Sequence, residues 1–524
     1  VEEEINIMTI FYVFLAVYTI LMITISLISR KKNETVDGFY MAGRAIPPWM
    51  SAFSYATAYF SAVMFIGHAG RNGFNYGISS LWIVFGNAFI GTWLAWKVLG
   101  IRTRTMTHRL NATTMPQFLE KRYNSKLLKY ISALIIFVFL IPYAASVYKG
   151  LGFLFQTLLG FDSEPIELIK FGNNVILAMT GERIILVFMM LLTAFYLFVG
   201  GFKAASLADL IQGIIMVGGV VIMVFIVLTN SNVEGISGAI SNLKNIDPGL
   251  AKVIYPGKEV PLISLVIMTS LGAWGLPQMV HKFYTIKDEK SVKTARRAST
   301  LFALLIAFGA YFTGAVGRLI IGNEKAVEYA VKANGVDQLD KIMPIVMNTA
   351  LPKVAAALIL VLVLAASMST LAAIVIAASN TFTNDLIKLV GKHNMKEKNA
   401  LLISKLSCVL FVVIAFILAI TPNSILNLNA LSWGVVSGGM LAPYLLGLYW
   451  KKATKIGVYA GILSSILIVT IGVVKFGGIS SAYMATISAT AIIAPIFVII
   501  IVSLFTKKYD DEHINHVFGI EKIN

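Results

Sequence analysis

Long apolar runs dominate this chain, and short polar connections separate them. About twenty helical residues cross the hydrocarbon core of a bilayer, and most of the runs reach that length. Hydropathy predicts helical spans at roughly 7–29, 46–74, 78–100, 128–160, 183–200, 205–229, 261–282, 298–321, 350–380, 400–421, 424–448, 456–475 and 480–505. The run at 128–160 is longer than a perpendicular crossing needs, so it is expected to tilt or to project from the bilayer. Segment 111–127 (NATTMPQFLEKRYNSKL) has the mixed pattern of an interfacial amphipathic stretch. Connection 230–260 carries the turn signals Asp247-Pro248-Gly249 and Pro256-Gly257, which predict short structure of its own.

Composition makes this a membrane protein along nearly its whole length. Of 524 residues, 57% are hydrophobic and 13% charged, with mean hydropathy +0.80. Soluble domains carry about a quarter charged residues. The formal net charge of +17 does not indicate nucleic acid, because the basic residues sit in particular loops. They are Arg30, Lys31 and Lys32 after the first span, and Arg102, Arg104, Arg109, Lys121 and Arg122 after the third. Lys282, Lys287, Lys290, Lys293, Arg296 and Arg297 follow the seventh, and Lys451, Lys452 and Lys455 the eleventh. Loops 162–182, 230–260 and 322–349 mix acids with fewer lysines. The positive-inside rule then predicts a multi-pass cell-membrane protein, N-terminus outside and C-terminus, with Lys507 and Lys508, in the cytoplasm. No cleavable signal peptide is expected, since the first run follows Glu2-Glu3-Glu4 and is full length. The single Cys408 excludes a disulfide framework or thiolate metal site.

The polar residues inside the runs carry the candidate chemistry. Segment 354–378 (VAAALILVLVLAASMSTLAAIVIAA) is uncharged and holds Ser367, Ser369 and Thr370 at its middle. Such hydroxyls either let helices pack closely or offer oxygen ligands to a hard cation such as sodium. The second span (46–74) is rich in small and hydroxylated residues in its first half and punctuated by Gly67, Gly70 and Gly73 in its second. The seventh (261–282) contains Gly272, Gly275 and Pro277. Each opens a set of five spans, 2–6 and 7–11, and five being odd, the sets run in opposite senses. Interrupted helices at corresponding places in inverted halves point to a transporter's central site.

Three phrases resemble the sodium/solute symporter family, which includes bacterial sodium/proline and sodium/galactose transporters. They are FYMAGRAIPPW (39–49), GGFKAASLADLIQG (200–213) and GLYWKKATKIGVYAGILSS (447–465), in family order on the matching spans. The resemblance implies about thirteen transmembrane helices with a five-plus-five inverted-repeat core like that of the leucine-transporter fold. It divides the chain into an extra N-terminal span and loop (1–45), a first repeat (46–229), an external loop (230–260), a second repeat (261–448), two C-terminal spans (449–506) and a tail (507–524). Carried over residue by residue, the sodium site would use the carbonyls of Thr57, Phe60 and Ala366 and the hydroxyls of Ser369 and Thr370. Ser367, on a different face, reverts to packing. Asp209 aligns with an aspartate of the inner ion path, in some members at a second sodium site. Read without the resemblance, it is an interfacial acid favouring a helix N-terminus.

The family binds solute between spans two, four, seven and eleven. The facing candidates here are Tyr59, Ser61, Met64 and His68, then Tyr143 and Lys149, then Trp274 and Gln278, and finally Asn429, Ser432 and Trp433. Tyr59 stands where the proline transporter has an aspartate, Met64 where the galactose transporter has glutamine. The proline pocket's two aromatics fall on Thr269 and Ala273. WGLPQMVHKFYTIKD (274–288) is similar to the monocarboxylate and acetate branches. Lys149, a cation inside a span, either snorkels to the interface or serves as counter-ion for a carboxylate. Arg71 is either an interface residue or, with His68, a source of positive potential in the outer vestibule.

The expectation is a sodium-coupled symporter importing an amino acid or carboxylate by alternating access, with sodium as coupling ion, no other cofactor, no nucleic acid, and a monomer sufficient. The alternatives are a membrane sensor on the same fold, disfavoured by the short tail, and a sugar-type symporter. A passive channel would call for a ring of pore-lining ligands, and no enzymatic constellation is present.

Overall fold

The computed structural model describes residues 2–30, 35–160, 166–171, 174–328, 338–387, 397–421, 424–479 and 482–520; Lys31 and Lys32 lie outside them. The apolar runs are helical. Helix α1 (Glu2–Ser29) precedes a broken pair, α2 (Pro48–Tyr59) and α3 (Val63–Gly70, continued by Arg71–Tyr76). Pro48 opens α2 at its first turn, where its missing N–H costs nothing. Phe60, at φ −112° and ψ 107°, leaves the helical region and ends it. The break thus falls at 60–62, not among the glycines that punctuate the second half.

Those glycines serve close approach instead. A Cβ on Gly73 would lie 2.2 Å from the Gly314 carbonyl carbon, and one on Gly70 would lie 2.9 Å from Met343 Cβ. After a turn at Gly77 (φ 55°), α4 (residues 81–109) runs on to the short helix α5 (Met115–Tyr123), capped by the Thr114 hydroxyl. Helix α6 (Lys126–Leu159) has 34 residues, about 51 Å at 1.5 Å per residue, and so exceeds a core of about 30 Å, as its sequence length predicts.

An antiparallel hairpin, β1 (Ile166–Phe171) with β2 (Asn174–Met179), departs from the all-α expectation. Its Ile- and Val-containing strands lie in a connection, where they pair with each other through the facing half of their backbone groups. Helix α7 (Gly181–Thr229) is interrupted by a kink at Gly201 (φ 55°, ψ −158°), in the double-glycine phrase. Only glycine fits there, because a Cβ would meet the Phe39 ring at 2.7 Å. Short helices Gly235–Ile246 and Pro248–Ala251 occupy the predicted turn-rich connection.

A second broken pair follows, α8 (Glu259–Gly275) and α9 (Pro277–Thr285), bent by 46°. Pro277 supplies no N–H and pushes Leu276 into an extended conformation (φ −80°, ψ 122°). The remaining long helices are α10 (Glu289–Ala315), α11 (Lys353–Thr381), α12 (Glu397–Ala419), α13 (Ile425–Tyr449), α14 (Lys455–Lys475) and α15 (Met484–Leu504), followed by the tail helix α16 (Asp511–Phe518); shorter helices such as Val36–Met41 and Ile342–Ala350 join them. Ten helices among the described residues are long and apolar enough to cross a membrane, eleven with the bent pair as one span.

Helix α11 is apolar all round because it is the centre of the bundle: every residue from Ile359 to Thr381 is buried. Basic loops gather at one end of the bundle. There Arg104 donates to the carbonyls of Ile286 and Lys287, Arg122 to that of Gly447, and Arg109 to that of Val517. At the opposite end Arg71 pairs with Asp340 at 3.1 Å, and Lys149 donates to the Thr421 carbonyl.

Candidate functional site

The break between α2 and α3 lies against the hydroxyls of α11. A helix leaves its last four carbonyls without intrahelical donors, and its C-terminus carries partial negative charge. At the end of α2 these carbonyls include those of Thr57 and Ala58. Thr370 Oγ1 lies 3.3 Å from each of them and 3.2 Å from the Ala366 carbonyl one turn back on its own helix. One hydroxyl proton faces three acceptors, so the cluster is rich in oxygen and short of hydrogen. A small cation is the natural complement of such a set. Phe60 contributes an extended backbone that takes its carbonyl out of the helical ladder.

Ser369 extends the cluster towards a charge. Its Oγ lies 2.7 Å from Thr57 Oγ1 and 2.6 Å from Asp209 Oδ1. The other carboxylate oxygen accepts from Ser54, whose Oγ accepts in turn from Lys282 Nζ at 2.7 Å. Lys282 Nζ is 3.6 Å from Asp209 Oδ2, and both residues are buried, at 2% and 1% exposure. Buried charges persist only when paired and hydrogen-bonded. The sequence placed Lys282 in a basic loop; the structure puts it on half-helix α9, inside the protein. Asp209 is likewise no interfacial acid: it lies buried in the part of α7 that follows Gly201, against Ser54 of α2, Lys282 of α9 and Ser369 of α11.

Ser367 also crosses to the break. It accepts from the Ala62 N–H at 3.1 Å and donates to the Val363 carbonyl at 2.7 Å, covering an orphan donor at the start of α3. Its role is therefore more specific than packing. Ser61 turns its hydroxyl onto the Val63 N–H at 3.2 Å, the same kind of cap.

A cavity adjoins the other side of the break. Tyr59, Ser61, Val63, Met64, His68, Asn87, Tyr143, Thr269, Tyr311, Asn429 and Trp433 line it, all of them buried. Tyr59 stacks on Phe60 (centroids 4.9 Å apart), hydrogen-bonds the Thr269 carbonyl, and lies 3.3 Å from Asn87 Oδ1. Glycine is required at Gly91, since a Cβ there would meet the Tyr59 hydroxyl at 2.2 Å. His68 Nε2 donates to Asn429 Oδ1 at 3.1 Å, which leaves His68 Nδ1 as an acceptor and Asn429 Nδ2 as a donor. Neither of these atoms has a partner among the described residues, nor has the Tyr311 hydroxyl. Buried polar atoms are normally satisfied, so these leave hydrogen-bonding capacity unused among the lining residues. No Lys, Arg, Asp or Glu is among the described residues that line the cavity.

Seven of the eleven solute candidates meet here: Tyr59, Ser61, Met64, His68, Tyr143, Asn429 and Trp433. Lys149 does not; it is half-buried at the end of the bundle, held by the Thr421 carbonyl. Trp274 donates to the Ile90 carbonyl at 3.0 Å. Gln278 and Ser432 are buried outside the lining, with side-chain polar atoms that lack partners among the described residues. Sequence reasoning missed Asn87, Tyr311, Ser54 and Lys282. A polar residue between Gly86 and Gly91 was the available signal for Asn87. Tyr311 lies on α10, a helix the family picture does not use.

A model of the sodium:solute symporter family matches residues 39–465. The osmoregulated proline transporter OpuE of Bacillus subtilis is 30% identical over 508 residues, covering 94% of each chain. The high-affinity proline transporter PutP of Bacillus subtilis is 28% identical, over 84% of this chain and 88% of its own. A sodium/proline symporter of Staphylococcus aureus is also 28% identical, over 88% and 85%. Among solved structures, the substrate-bound outward-open state of a Na+-coupled sialic acid symporter superposes with TM-score 0.73. It covers 96% of this chain and 99% of its own at 18% identity, a likeness of fold.

Proposed function

The chain belongs to the sodium:solute symporter family, and from that premise we propose that it imports a proline-like amino acid together with sodium by alternating access. The observation that carries the reading is the single helix break shared by two sites. Carbonyls of Thr57 and Ala58 meet the Thr370 hydroxyl, while side chains of Tyr59 and Ser61 line the cavity. The sodium ligands in this reading are Thr57, Phe60, Ala366, Ser369 and Thr370. The relatives named as proline transporters support the solute class. So does a cavity without fixed charge, since a zwitterion brings its own counter-charge whereas a bare carboxylate would need one. With Lys149 outside the cavity, the monocarboxylate alternative loses its counter-ion.

The finer architecture belongs to the same proposal. Dividing the long apolar runs at Gly77 and Gly201 gives thirteen spans, with α2–α3 and α8–α9 opening two inverted sets of five. The end where the basic loops gather is then cytoplasmic. One sodium entering through 100 mV is worth about 2.3 kcal/mol, about a fiftyfold accumulation of solute.

Uptake by the purified protein in liposomes tests this. Labelled proline should accumulate under an inward sodium gradient and not under a potassium gradient, with unlabelled acetate and galactose failing to compete. Accumulation that ignores the sodium gradient would refute the coupling, and competition by acetate alone would refute the solute class.

A further inference from the structure

We propose that Lys282 is the standing counter-cation of Asp209 and thereby limits the transporter to one sodium per solute. The proposal rests on the sodium-symport reading above and concerns its stoichiometry. Asp209 is a buried carboxylate beside the candidate sodium cluster, joined to it through Ser369 at 2.6 Å. A bare carboxylate in that position would attract a second sodium. Here its charge is already met. The Lys282 ammonium lies 3.6 Å from Oδ2 and also reaches it through the Ser54 hydroxyl, at 2.7 Å from the lysine nitrogen.

Three independent elements hold this arrangement: Ser54 on α2, Asp209 on α7 and Lys282 on α9. The lysine is fixed by more than the carboxylate, since its ammonium also lies 4.9 Å from the Phe202 ring centroid. A sodium ion placed on Asp209 would sit within a few ångströms of that fixed positive charge. The Thr370 cluster, with no ammonium among its members, remains the place for a sodium ion.

Flux ratios in liposomes test the proposal. The intact protein should move one labelled sodium per solute, with a Hill coefficient for sodium near 1 and one sodium bound per chain in detergent. Lys282→Met leaves the carboxylate without its cation and should raise bound sodium to two per chain, with the Hill coefficient moving towards 2. The double variant Lys282→Met with Asp209→Asn should return both to one. Two sodium ions per solute in the intact protein would overturn the proposal, and so would Lys282→Met binding one sodium with an unchanged activation curve. If Lys282→Met does not fold, the flux ratio of the intact protein decides alone. Uptake that shows no sodium dependence would refute the symport reading instead, a different outcome from a ratio of two.

Discussion

Replacing Thr370 by valine removes one oxygen from the cation cluster while keeping the side chain's shape. In the structure this hydroxyl sits among the carbonyls of Thr57, Ala58 and Ala366 at 3.2–3.3 Å. A contact from a hydroxyl to a full charge is worth about 1.5–3 kcal/mol. At 1.4 kcal/mol per decade, the sodium concentration for half-maximal uptake should rise about 10- to 150-fold. Binding linkage makes the defect conditional: at saturating sodium the apparent solute affinity should recover, because only the ion site is damaged. Thr370→Ser keeps the oxygen and should stay within a few-fold of the parent. The assay is initial uptake against sodium concentration in liposomes, paired with a sodium titration of the detergent-purified protein's melting temperature. An unchanged half-saturation in the valine variant would refute the ligand assignment. A serine variant as impaired as the valine one would do the same, because it would show that packing and not the oxygen matters.

Ser367→Ala should give the complementary result: loss of the cap on the Ala62 N–H lowers stability by about 1 kcal/mol, seen as a lower melting temperature, with sodium half-saturation moved less than twofold. Lys149→Gln should leave the ranking of competing solutes unchanged in uptake assays, and a lost preference among carboxylates would contradict the cavity's boundary. In the connection after α7, Asp247 accepts from the Tyr255 hydroxyl at 2.6 Å and the Gly249 N–H at 2.8 Å, which holds its carboxyl below its ordinary range. Its stabilising contacts are therefore complete above the ordinary aspartate value of about 3.9 and are lost only as pH falls through the lower folded value. Hydrogen exchange of 247–258, corrected for intrinsic rates, should stay level from neutral pH to about pH 5 and increase in stronger acid; loosening near pH 6 would contradict this.

The apolar runs were legible because lipid imposes a single demand, about twenty residues with their backbone satisfied internally. The kink at Leu276 was equally legible, since a proline both removes a donor and restricts its predecessor. The break at Phe60 was not. No proline or glycine stands at 60–62, and the helix ends because Ser61 and Ser367 cap a new one at once. Gly67, Gly70 and Gly73 looked like the point of interruption, yet they are small because Ile425, Met343 and Gly314 press against them. A glycine's cause, strain or contact, is set by a neighbour that the linear sequence does not display.

Lys282 shows the same limit for charge. Hydropathy assigned it to a loop because PQMVHKFYT is only weakly apolar, and the positive-inside rule then counted it with its neighbours. A half-helix buried in protein escapes the demand of lipid, so its composition resembles that of a connection. Broken helices are for this reason both the places where a membrane sequence is most easily misread and the places where its chemistry lies. The break at 60–62 supplies carbonyls to one site and side chains to the other within five residues, Thr57 and Ala58 on one hand, Tyr59 and Ser61 on the other. An ion drawing on the carbonyls fixes the backbone that aims Tyr59 into the cavity. A solute held by Tyr59 fixes the same carbonyls in return. Coupling between two sites must be reciprocal, and here one short stretch of chain is enough to carry it.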